Sequence, residues 1–552
     1  MANTIRAPQR GVSRQEFIVN DLSGGFVAQA ASRSLDPRYL SDVQNMELVQ
    51  GMWQKRKGYS FIGSFNGVGP TPRTLKGLHI YNAQGNFHLL GVYDRSLYDT
   101  YQVTKDGAGK VVTNTLPVAR RYRFADFRNN VYIANGETGL MRYDGNKLKT
   151  LATPIGSLLV AYDNRLLLAG IKGDSLTIYY SDDGLPERWG ALNYITLEGG
   201  TNEYITALVP VQGKLYIFTN QSIFSLVGSM ENFALTKEVN GVGTISQETV
   251  TLFGNMMYFI SDDRNLYEFD GGNFPKEISL PIKEYLRGKF HYTDFQNACL
   301  TYNGDGVWFT LDNSVVPSER VTLVYYPSWQ AWTKFVGIPA AGYVRLQNTL
   351  LFTGCHNTGS IYQYATGYRD DATQIDAFIK TVKWSFDGVE NIKRFKELYV
   401  RGALQGGGGN GFDIDFYVDD SRVASVHVTS DIPTPTEFWG GANQWGSMYW
   451  GYAADISGTR YGQAEWGSFE WGSAKPNLLP RWGVDKWINF KWGDNKKGVL
   501  SDDVGVVASK LYLSQYNIIS GKSLQLVFRD NTPNHGFRLE DLTLEYIFKG
   551  VR

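Results

Sequence analysis

The stretch Phe87-His88-Leu89-Leu90-Gly91-Val92 is the first of seven related phrases, each a short apolar run beside polar turn residues. The other six are Val131-Tyr132-Ile133-Ala134-Asn135-Gly136, Arg165-Leu166-Leu167-Leu168-Ala169-Gly170, Lys214-Leu215-Tyr216-Ile217-Phe218-Thr219, Met257-Tyr258-Phe259-Ile260-Ser261, Val307-Trp308-Phe309-Thr310 and Leu350-Leu351-Phe352-Thr353-Gly354. Anchored at residues 89, 131, 166, 215, 257, 307 and 351, they follow one another at steps of 42, 35, 49, 42, 50 and 44 residues. A repeat of this length is typical of β-propeller blades, so we predict six or seven blades, with some irregularity.

Composition agrees with an all-β fold. The chain holds 60 glycines and 14% aromatic residues, which suits many short strands joined by tight turns. Several repeats carry a second phrase, such as Asn265-Leu266-Tyr267-Glu268-Phe269-Asp270-Gly271, whose alternation predicts a hairpin. The best helix inside the repeats is short and spans Pro281 to Arg287, with Gly288 closing it.

The length of 552 residues exceeds what one hydrophobic core usually serves, so more than one domain is expected. We place the propeller at residues 71–375. Residues 376–552 carry longer alternating strands, such as Phe412 to Val418, and predict a β-sandwich-like domain. Residues 1–70 are predicted to form an arm and a short helix that make assembly contacts.

The short helix in the N-terminal segment is predicted from its start signals. Ser34 or Asp36 can cap it, and Pro37 lies in the first turn, where a missing N–H costs nothing. Leu40, Val43 and Met46 would form its inner face.

A Trp-Gly repeat at residues 432–495 interrupts the predicted sandwich and is the sharpest candidate site. It contains Trp439, Trp445, Trp450, Trp466, Trp471, Trp482, Trp487 and Trp492. Eight exposed indoles would favour aggregation, so they must be covered. Either they pack on neighbouring hairpins, or they contact another subunit or a partner, since Trp is common at interface anchors.

Charge, cysteine content and the lack of long apolar runs restrict the partners and the cellular compartment that we expect. Lys plus Arg and Asp plus Glu number 54 each, so the whole chain has no basic field that would attract nucleic acid. Only Cys299 and Cys355 occur, and their spacing leaves open whether they pair. The N-terminus lacks an apolar signal region, and no apolar run could span a membrane, so we expect folding in a cytoplasm without membrane insertion.

The sequence predicts no catalytic residue, no cofactor and no metal site. Gly521-Lys522-Ser523 resembles the end of a phosphate loop, but Tyr516 stands where the leading glycine is needed. Ser181 to Trp189 resembles an aspartate box with the wrong spacing, and a turn that packs Trp189 between blades is the favoured interpretation. Asp413 and Asp415 share one face of a strand, for which solvation is more common than calcium binding. The six histidines show no ligand spacing: His79, His88, His291, His356, His427 and His535.

The N-terminal phrases resemble a known family. Leu22-Ser23-Gly24-Gly25-Phe26, the Leu35-Asp36-Pro37 segment followed by Asn45, and Lys55-Arg56-Lys57-Gly58-Tyr59 are similar to the start of tail nozzle and hub proteins of short-tailed bacteriophages, of the tail tubular protein B and packaged-DNA stabilisation types. The likeness continues through a propeller into a β-rich C-terminal domain. The Trp-Gly repeat is not a general feature of that family.

The resemblance implies a structural virion protein and not an enzyme. Such proteins form a hexameric ring in the tail, next to an adaptor or portal-proximal protein and in some cases tail fibres, after assembly in the host bacterial cytoplasm. They enclose and gate the channel through which double-stranded DNA is retained and ejected. The alternative from another class is a carbohydrate-binding or polysaccharide-degrading propeller, whose aromatic residues would stack on sugar rings.

Overall fold

The computed structural model is almost entirely β-structure. It describes residues 14–28, 35–65, 75–83, 85–101, 110–312, 320–354, 359–386, 391–405, 411–429, 503–518, 520–533 and 535–548. The chain divides into two compact units. Lys57–Thr366 form the propeller unit, and Met1–Arg56 with Gly367–Arg552 form the terminal unit. The propeller unit is therefore an insertion in the chain of the terminal unit.

In the described part of the propeller unit, seven groups of four antiparallel strands form blades 1 to 7 in chain order. Five groups are separate sheets, and the strands of blades 6 and 7 belong to larger sheets. Blades 1 and 2 consist of Leu75–Ala83, Asn86–Tyr93, Ser96–Tyr101, Lys110–Thr113, and Arg123–Phe127, Asn130–Ala134, Met141–Tyr143, Leu148–Thr150. Blades 3 and 4 consist of Gly156–Tyr162, Arg165–Ile171, Thr177–Tyr180, Tyr194–Thr196, and Ile205–Val211, Lys214–Thr219, Ser222–Ser229, Asn232–Asn240. Blades 5 and 6 consist of Val250–Phe253, Met256–Ile260, Leu266–Phe269, Lys276–Glu277, and Cys299–Asn303, Gly306–Leu311, Val321–Tyr326, Ala331–Val336. Blade 7 consists of Ala340–Leu346, Thr349–Gly354, Ser360–Tyr364 and Tyr59–Ser64.

The propeller fold predicted from the repeat is confirmed. Each of the seven anchor residues lies in the second strand of its blade, where burial is most continuous. Blade 7 is completed by Tyr59–Ser64, which comes from the start of the unit and pairs with Ser360–Tyr364. The two ends of the repeat therefore meet in one sheet.

Apolar clusters between neighbouring blades hold the ring together. Leu90 of blade 1 and Val131 of blade 2 share one cluster, and both are fully buried. Leu75 and Leu89 of blade 1 pack with Ile361 of blade 7. Because the first and last blades share a core, the ring is closed by burial as well as by strand pairing.

Helices are few among the described residues. The predicted helix near Pro281 is present as a 3-10 turn, Leu280–Ile282, followed by an α-helix, Lys283–Lys289. A second α-helix, Tyr292–Gln296, precedes blade 6. Further 3-10 turns lie at Gln247–Thr249 and Leu513–Tyr516.

The terminal unit contains two sheets built from both ends of the chain. One sheet has the order Met46–Val49, Met52–Lys55, Gly536–Phe548, Lys393–Gln405, Asp503–Tyr512, with Gln15–Val19 and Ser520–Gly521 pairing at its side. The other has the order Tyr39–Gln44, Ala377–Thr381, Leu524–Asp530, Phe412–Val418, Ser421–Val428, with Gly25–Phe26 added in parallel. The short strands Arg369–Asp370 and Thr373–Gln374 form a hairpin. Phe412 and Phe537, one from each sheet, stack at 4.8 Å, which places a shared core between the sheets.

The short helix predicted after Asp36 is wrong, because these residues form the strand Tyr39–Gln44. The predicted inner face is nevertheless buried: Leu40, Val43 and Met46 have no exposed area. A register shift between Leu40 and Asp42 and a left-handed residue at Asn45 (φ 54°) give the strand a spacing of three. A bulged strand thus imitates helical periodicity.

The unit boundaries differ from those predicted. Residues 15–56 pair with the C-terminal strands and do not form a separate segment, and the propeller begins at Lys57 and ends at Thr366. The reason is that the N-terminal strands supply one edge of each sheet of the terminal unit. The Trp-Gly repeat at 432–495 lies outside the described residues.

Candidate functional site

A buried polar cluster marks the point where the chain leaves and re-enters the terminal unit. We call Asn45, Lys55, Arg56, Asp370 and Asp530 the joint cluster. Arg56 donates from Nη1 and Nη2 to the two carboxylate oxygens of Asp370 at 2.7 and 2.5 Å. Its Nε donates to Asn45 Oδ1 at 2.9 Å, and the Arg56 side chain is fully buried. Arg56 and Asp370 flank the two chain passages, so the ion pair joins them.

Asn45 suits its position for two reasons. Its backbone is left-handed, a conformation that Asn adopts more readily than most residues. Its side chain accepts from Arg56 and donates from Nδ2 to the carbonyl oxygen of Asp376 at 2.8 Å. The Asn45 amide therefore forms hydrogen bonds both to the Arg56 guanidinium group and to the backbone at Asp376, in the chain that returns from the propeller unit.

Lys55 forms a second buried ion pair in the joint cluster. Its Nζ lies 3.4 Å from Asp530 Oδ1, and neither side chain is exposed. Nζ also donates to the carbonyl oxygens of Thr532 and His535 at 2.7 and 3.3 Å. Burial lowers the pKa of Lys55, and the charge of Asp530 opposes that effect. Breaking such a pair leaves an uncompensated buried charge, so Lys55 and Asp530 should stabilise the terminal unit only as a pair.

A second charged cluster lies on the axis of the propeller unit. We call Arg121, Arg123 and Glu248 the axial cluster. Arg123 lies on the inner strand of blade 2, and Glu248 lies in the 3-10 turn before blade 5. Arg123 Nε and Nη2 donate to Glu248 Oε1 and Oε2, both at 3.0 Å. Since blades 3 and 4 separate these two blades on one side, the ion pair crosses the axial channel.

Neighbouring groups fix this ion pair. Arg123 Nη1 donates to the carbonyl oxygen of Ser157 in blade 3 at 2.9 Å. Gln247 accepts from the backbone N–H of Leu208 in blade 4 at 2.8 Å and donates to its carbonyl oxygen at 3.1 Å. Four successive blades are therefore tied together at the axis. The bidentate geometry gives the pair orientation as well as charge complementarity.

The carboxyl group of Glu248 is strongly acidic. Burial would raise its pKa, but the positive charges of Arg123 and Arg121 outweigh burial and hold the pKa at about 2. Glu248 is therefore ionised at neutral pH. A carboxyl group in this state cannot serve as a general acid, which needs a pKa near the working pH.

Two cavities adjoin the axial cluster. The first, about 470 Å³, is lined by the inner strands of all seven blades, including His79, Pro210 and Tyr343. The second, about 510 Å³, has Tyr204 and Tyr292 among its lining residues, which are 49% and 43% exposed. Arg121, Arg123 and Glu248 line both cavities. The axial cluster is therefore a wall common to the two cavities.

Arg121 differs from Arg123 in its partners. Its Nη1 donates to the carbonyl oxygen of Leu75 at the long distance of 3.4 Å. Within the described part of the chain, no carboxylate oxygen lies within 4 Å of it. The axial cluster thus carries two guanidinium groups against one carboxylate.

Only some of the candidate residues named from the sequence lie within the described ranges. All eight tryptophans proposed as assembly or partner contacts lie outside the described residues: Trp439, Trp445, Trp450, Trp466, Trp471, Trp482, Trp487 and Trp492. Cys355 also lies outside them. Cys299 is a buried free thiol that lines the first cavity, and burial raises its pKa to about 11.

The turn interpretation of Ser181 to Trp189 is confirmed. The backbone N–H of Asp182 donates to the carbonyl oxygen of Arg188, and Trp189 Nε1 donates to that of Pro186 at 3.0 Å. Trp189 packs against the apolar cluster shared by blades 2 and 3. The segment is therefore a packed turn.

Two other motifs also have structural roles. The backbone N–H groups of Lys522 and Ser523 donate to Asp419 Oδ1 at 3.0 and 2.8 Å, so a carboxylate occupies the place a phosphate would need. Asp413 is half-exposed and contacts His427, whereas Asp415 is buried and pairs with Arg422 at 2.6 Å. The solvated face expected for both aspartates therefore holds for Asp413 only.

The described residues lack two features, a metal-binding cluster and a membrane-spanning helix. No group of three or more His, Cys, Asp or Glu side chains there has the geometry to hold a metal ion. No helix in those ranges is both long enough and apolar enough to cross a membrane.

Comparison with known proteins identifies fold likeness only. No family model matches the sequence, and no curated protein matches it. Solved structures that match include BamB from Moraxella catarrhalis, at 12% identity over 62% of this chain and 98% of that chain, with a TM-score of 0.37. YCF48 bound to D1 peptide matches at 13% identity over 56% and 95% of the two chains, with a TM-score of 0.36. PorZ, a type-IX secretion component of Porphyromonas gingivalis, matches at 11% identity over 61% and 44%, also with a TM-score of 0.36.

Proposed function

We propose that this chain is a non-enzymatic subunit of the ring-shaped tail nozzle of a short-tailed bacteriophage. In this role, six copies enclose the DNA channel of the virion tail, next to an adaptor or portal-proximal protein. The ring retains the genome and opens for its ejection. The observation that carries the proposal is the joint cluster.

The joint cluster gives a physical role to the residues that resemble the nozzle family. Asn45, Lys55 and Arg56 belong to those phrases, and each makes buried polar contacts in the terminal unit. Because these charges are buried, the loss of either partner of a pair would be costly. The residues that resemble the nozzle family therefore stabilise the terminal unit of the proposed subunit.

The axial cluster supports the proposal that whole propellers, side by side, form the wall of the DNA channel. The Arg123–Glu248 pair crosses the axis of the propeller, and each adjoining cavity is only about 500 Å³. Double-stranded DNA, whose major groove alone is about 12 Å wide, does not fit there. We therefore infer that DNA passes between subunits, through the hole of the ring.

The charge balance is compatible with passage of DNA. A channel lined by many Lys and Arg residues would hold phosphates and slow ejection. Equal numbers of basic and acidic residues, 54 each, avoid a strongly basic chain.

The proposal is tested by the oligomeric state and the location of the protein. We expect native mass spectrometry of the full chain to give a hexamer, and electron microscopy to give a six-fold ring with an axial hole. Antibodies to the chain should label the tails of virions from an infected culture. A chain that stays monomeric at all concentrations and is absent from virions would refute the proposal.

A further inference from the structure

The second cavity carries a positive charge that its own residues do not balance. Its cationic lining residues are Arg120, Arg121, Arg123 and Lys172, and its carboxylates are Glu137, Glu248 and Asp262. Both carboxylate oxygens of Glu248 accept hydrogen bonds from Arg123, one from Nε and one from Nη2. Asp262 accepts a hydrogen bond from the hydroxyl group of Tyr292.

Arg121 is the group most in need of a ligand. It is partly buried, and in the described ranges it has one long hydrogen bond and no carboxylate within 4 Å. Arg121 shares the single charge of Glu248 with Arg123, so the two guanidinium groups are only partly balanced, and the planar fork of Arg121 matches a carboxylate. The cavity therefore favours a ligand that carries one carboxylate.

Other lining residues of the same cavity suit a sugar ring. Tyr204 and Tyr292 are about half-exposed lining residues, and the Tyr204 hydroxyl makes no hydrogen bond to another described residue. Amide and hydroxyl groups of Asn220, Gln296 and Ser246 line the walls. The volume of about 510 Å³ lies in the range of small-molecule sites. Aromatic faces beside scattered polar groups are what an amphipathic pyranose ring can use.

We propose that the second cavity binds a carboxylate-bearing sugar, a uronate unit of an acidic polysaccharide, with its carboxylate on Arg121 and its ring at Tyr204 and Tyr292. This site goes beyond the nozzle role and gives the carbohydrate-binding alternative a location. Binding without cleavage is expected, because Glu248 is held as a carboxylate by Arg123 and cannot protonate a leaving group.

The test measures the binding of three probes to the full chain by calorimetry and by saturation-transfer NMR. D-glucuronate is the uronate, D-glucose has the same ring without the charge, and inorganic phosphate is an anion without the ring. We expect saturable binding of glucuronate at one site, with glucose and phosphate at least ten-fold weaker. Equal binding of glucose or of phosphate, or no binding of glucuronate, would refute the proposal.

Variants separate the two halves of the site. Arg121→Gln should weaken glucuronate binding by ten-fold or more. Tyr204→Ala changes an exposed side chain, so it should fold normally, weaken glucuronate binding several-fold and leave phosphate unaffected. Arg287→Gln, on the exposed surface of the helix Lys283–Lys289, is the matched control and should bind like the unmodified protein. Unchanged affinity in both cavity variants would overturn the assignment, whereas a failed ring assembly would not affect it.

Discussion

Arg56 and Asp370 lie 314 positions apart in the chain and share two hydrogen bonds, at 2.7 and 2.5 Å, in the interior of the terminal unit. The two residues lie beside the two passages of the chain that bound the inserted propeller. The pair therefore ties together the two points at which the chain leaves and re-enters the terminal unit.

Removal of one charge from this pair should be strongly destabilising. We expect Asp370→Asn to lower the free energy of unfolding by about 3 kcal/mol, because Arg56 is left buried without its counter-ion. Equilibrium urea unfolding measures the change. The control is Asp541→Asn, whose pair with Arg401 is exposed, and it should cost less than about 1 kcal/mol. Equal losses in the two variants would contradict a special role for the Arg56–Asp370 pair.

The stabilising effect of Glu248 should depend on pH. Its pKa of about 2 in the folded protein is below its ordinary value of 4.5, so its contribution is present above pH 4.5 and is lost as the pH falls toward 2. Glu248→Gln lacks this contribution. The difference in unfolding free energy between the two proteins should therefore be greatest near neutral pH, with an upper bound of about 3 kcal/mol, and should shrink in acid.

The control for this pH series is Glu187→Gln. Glu187 pairs with Arg142 at a half-exposed site, so its loss should change stability by less than about 1 kcal/mol at any pH. If the Glu248→Gln difference did not change between pH 6 and pH 3, the axial ion pair would not be the source of the effect.

Gly402 and Gly288 should respond oppositely to alanine. A Cβ atom at Gly402 would lie 2.2 Å from the carbonyl oxygen of Arg538, where the strand Lys393–Gln405 is bulged. Gly402→Ala should therefore destabilise the protein by at least about 2 kcal/mol. Gly288 has open space and lies in the helix Lys283–Lys289, so Gly288→Ala should stabilise by up to about 1 kcal/mol. Thermal unfolding of the two variants beside the unmodified protein should show a lower melting temperature for Gly402→Ala and a higher one for Gly288→Ala.

Cys299 should be inert in the folded protein. Its thiol is buried and its pKa is raised to about 11, so very little thiolate exists at pH 8. In a Cys355→Ser background, a disulfide reagent such as DTNB should find no reactive thiol until urea is added, and then one per chain. Rapid reaction of the native protein would show that the first cavity opens to solvent.

The sequence predicts the propeller well because its strongest signal comes from one strand of each blade. Second strands such as Arg165–Ile171 are buried on both faces and read as continuous apolar runs. Inner strands carry residues such as Arg123 that face the axis, and these residues differ from one blade to the next. Only the ring brings Arg123 within reach of Glu248, 125 positions away, so spacing along the chain could not reveal the axial cluster.

The terminal unit was harder to predict for two physical reasons. A bulge in Tyr39–Gln44 gives the buried residues a helix-like spacing, and the local sequence pattern cannot distinguish a bulged strand from a short helix. The joint cluster depends on Arg56 and Asp370 meeting across the whole inserted unit. Asn45 and Lys55-Arg56 belong to the phrases that resemble the nozzle family, but their contacts follow only from the three-dimensional pairing.

Closure of blade 7 sets an order of events during synthesis. Tyr59–Ser64 leaves the ribosome early, but its partner Ser360–Tyr364 is among the last strands of the propeller to be made. At about 5–20 residues per second, the roughly 300 residues between them take about 15–60 s to translate. Throughout that interval the early strand has no native partner in its sheet, so the ring can close only after nearly the entire inserted unit has emerged.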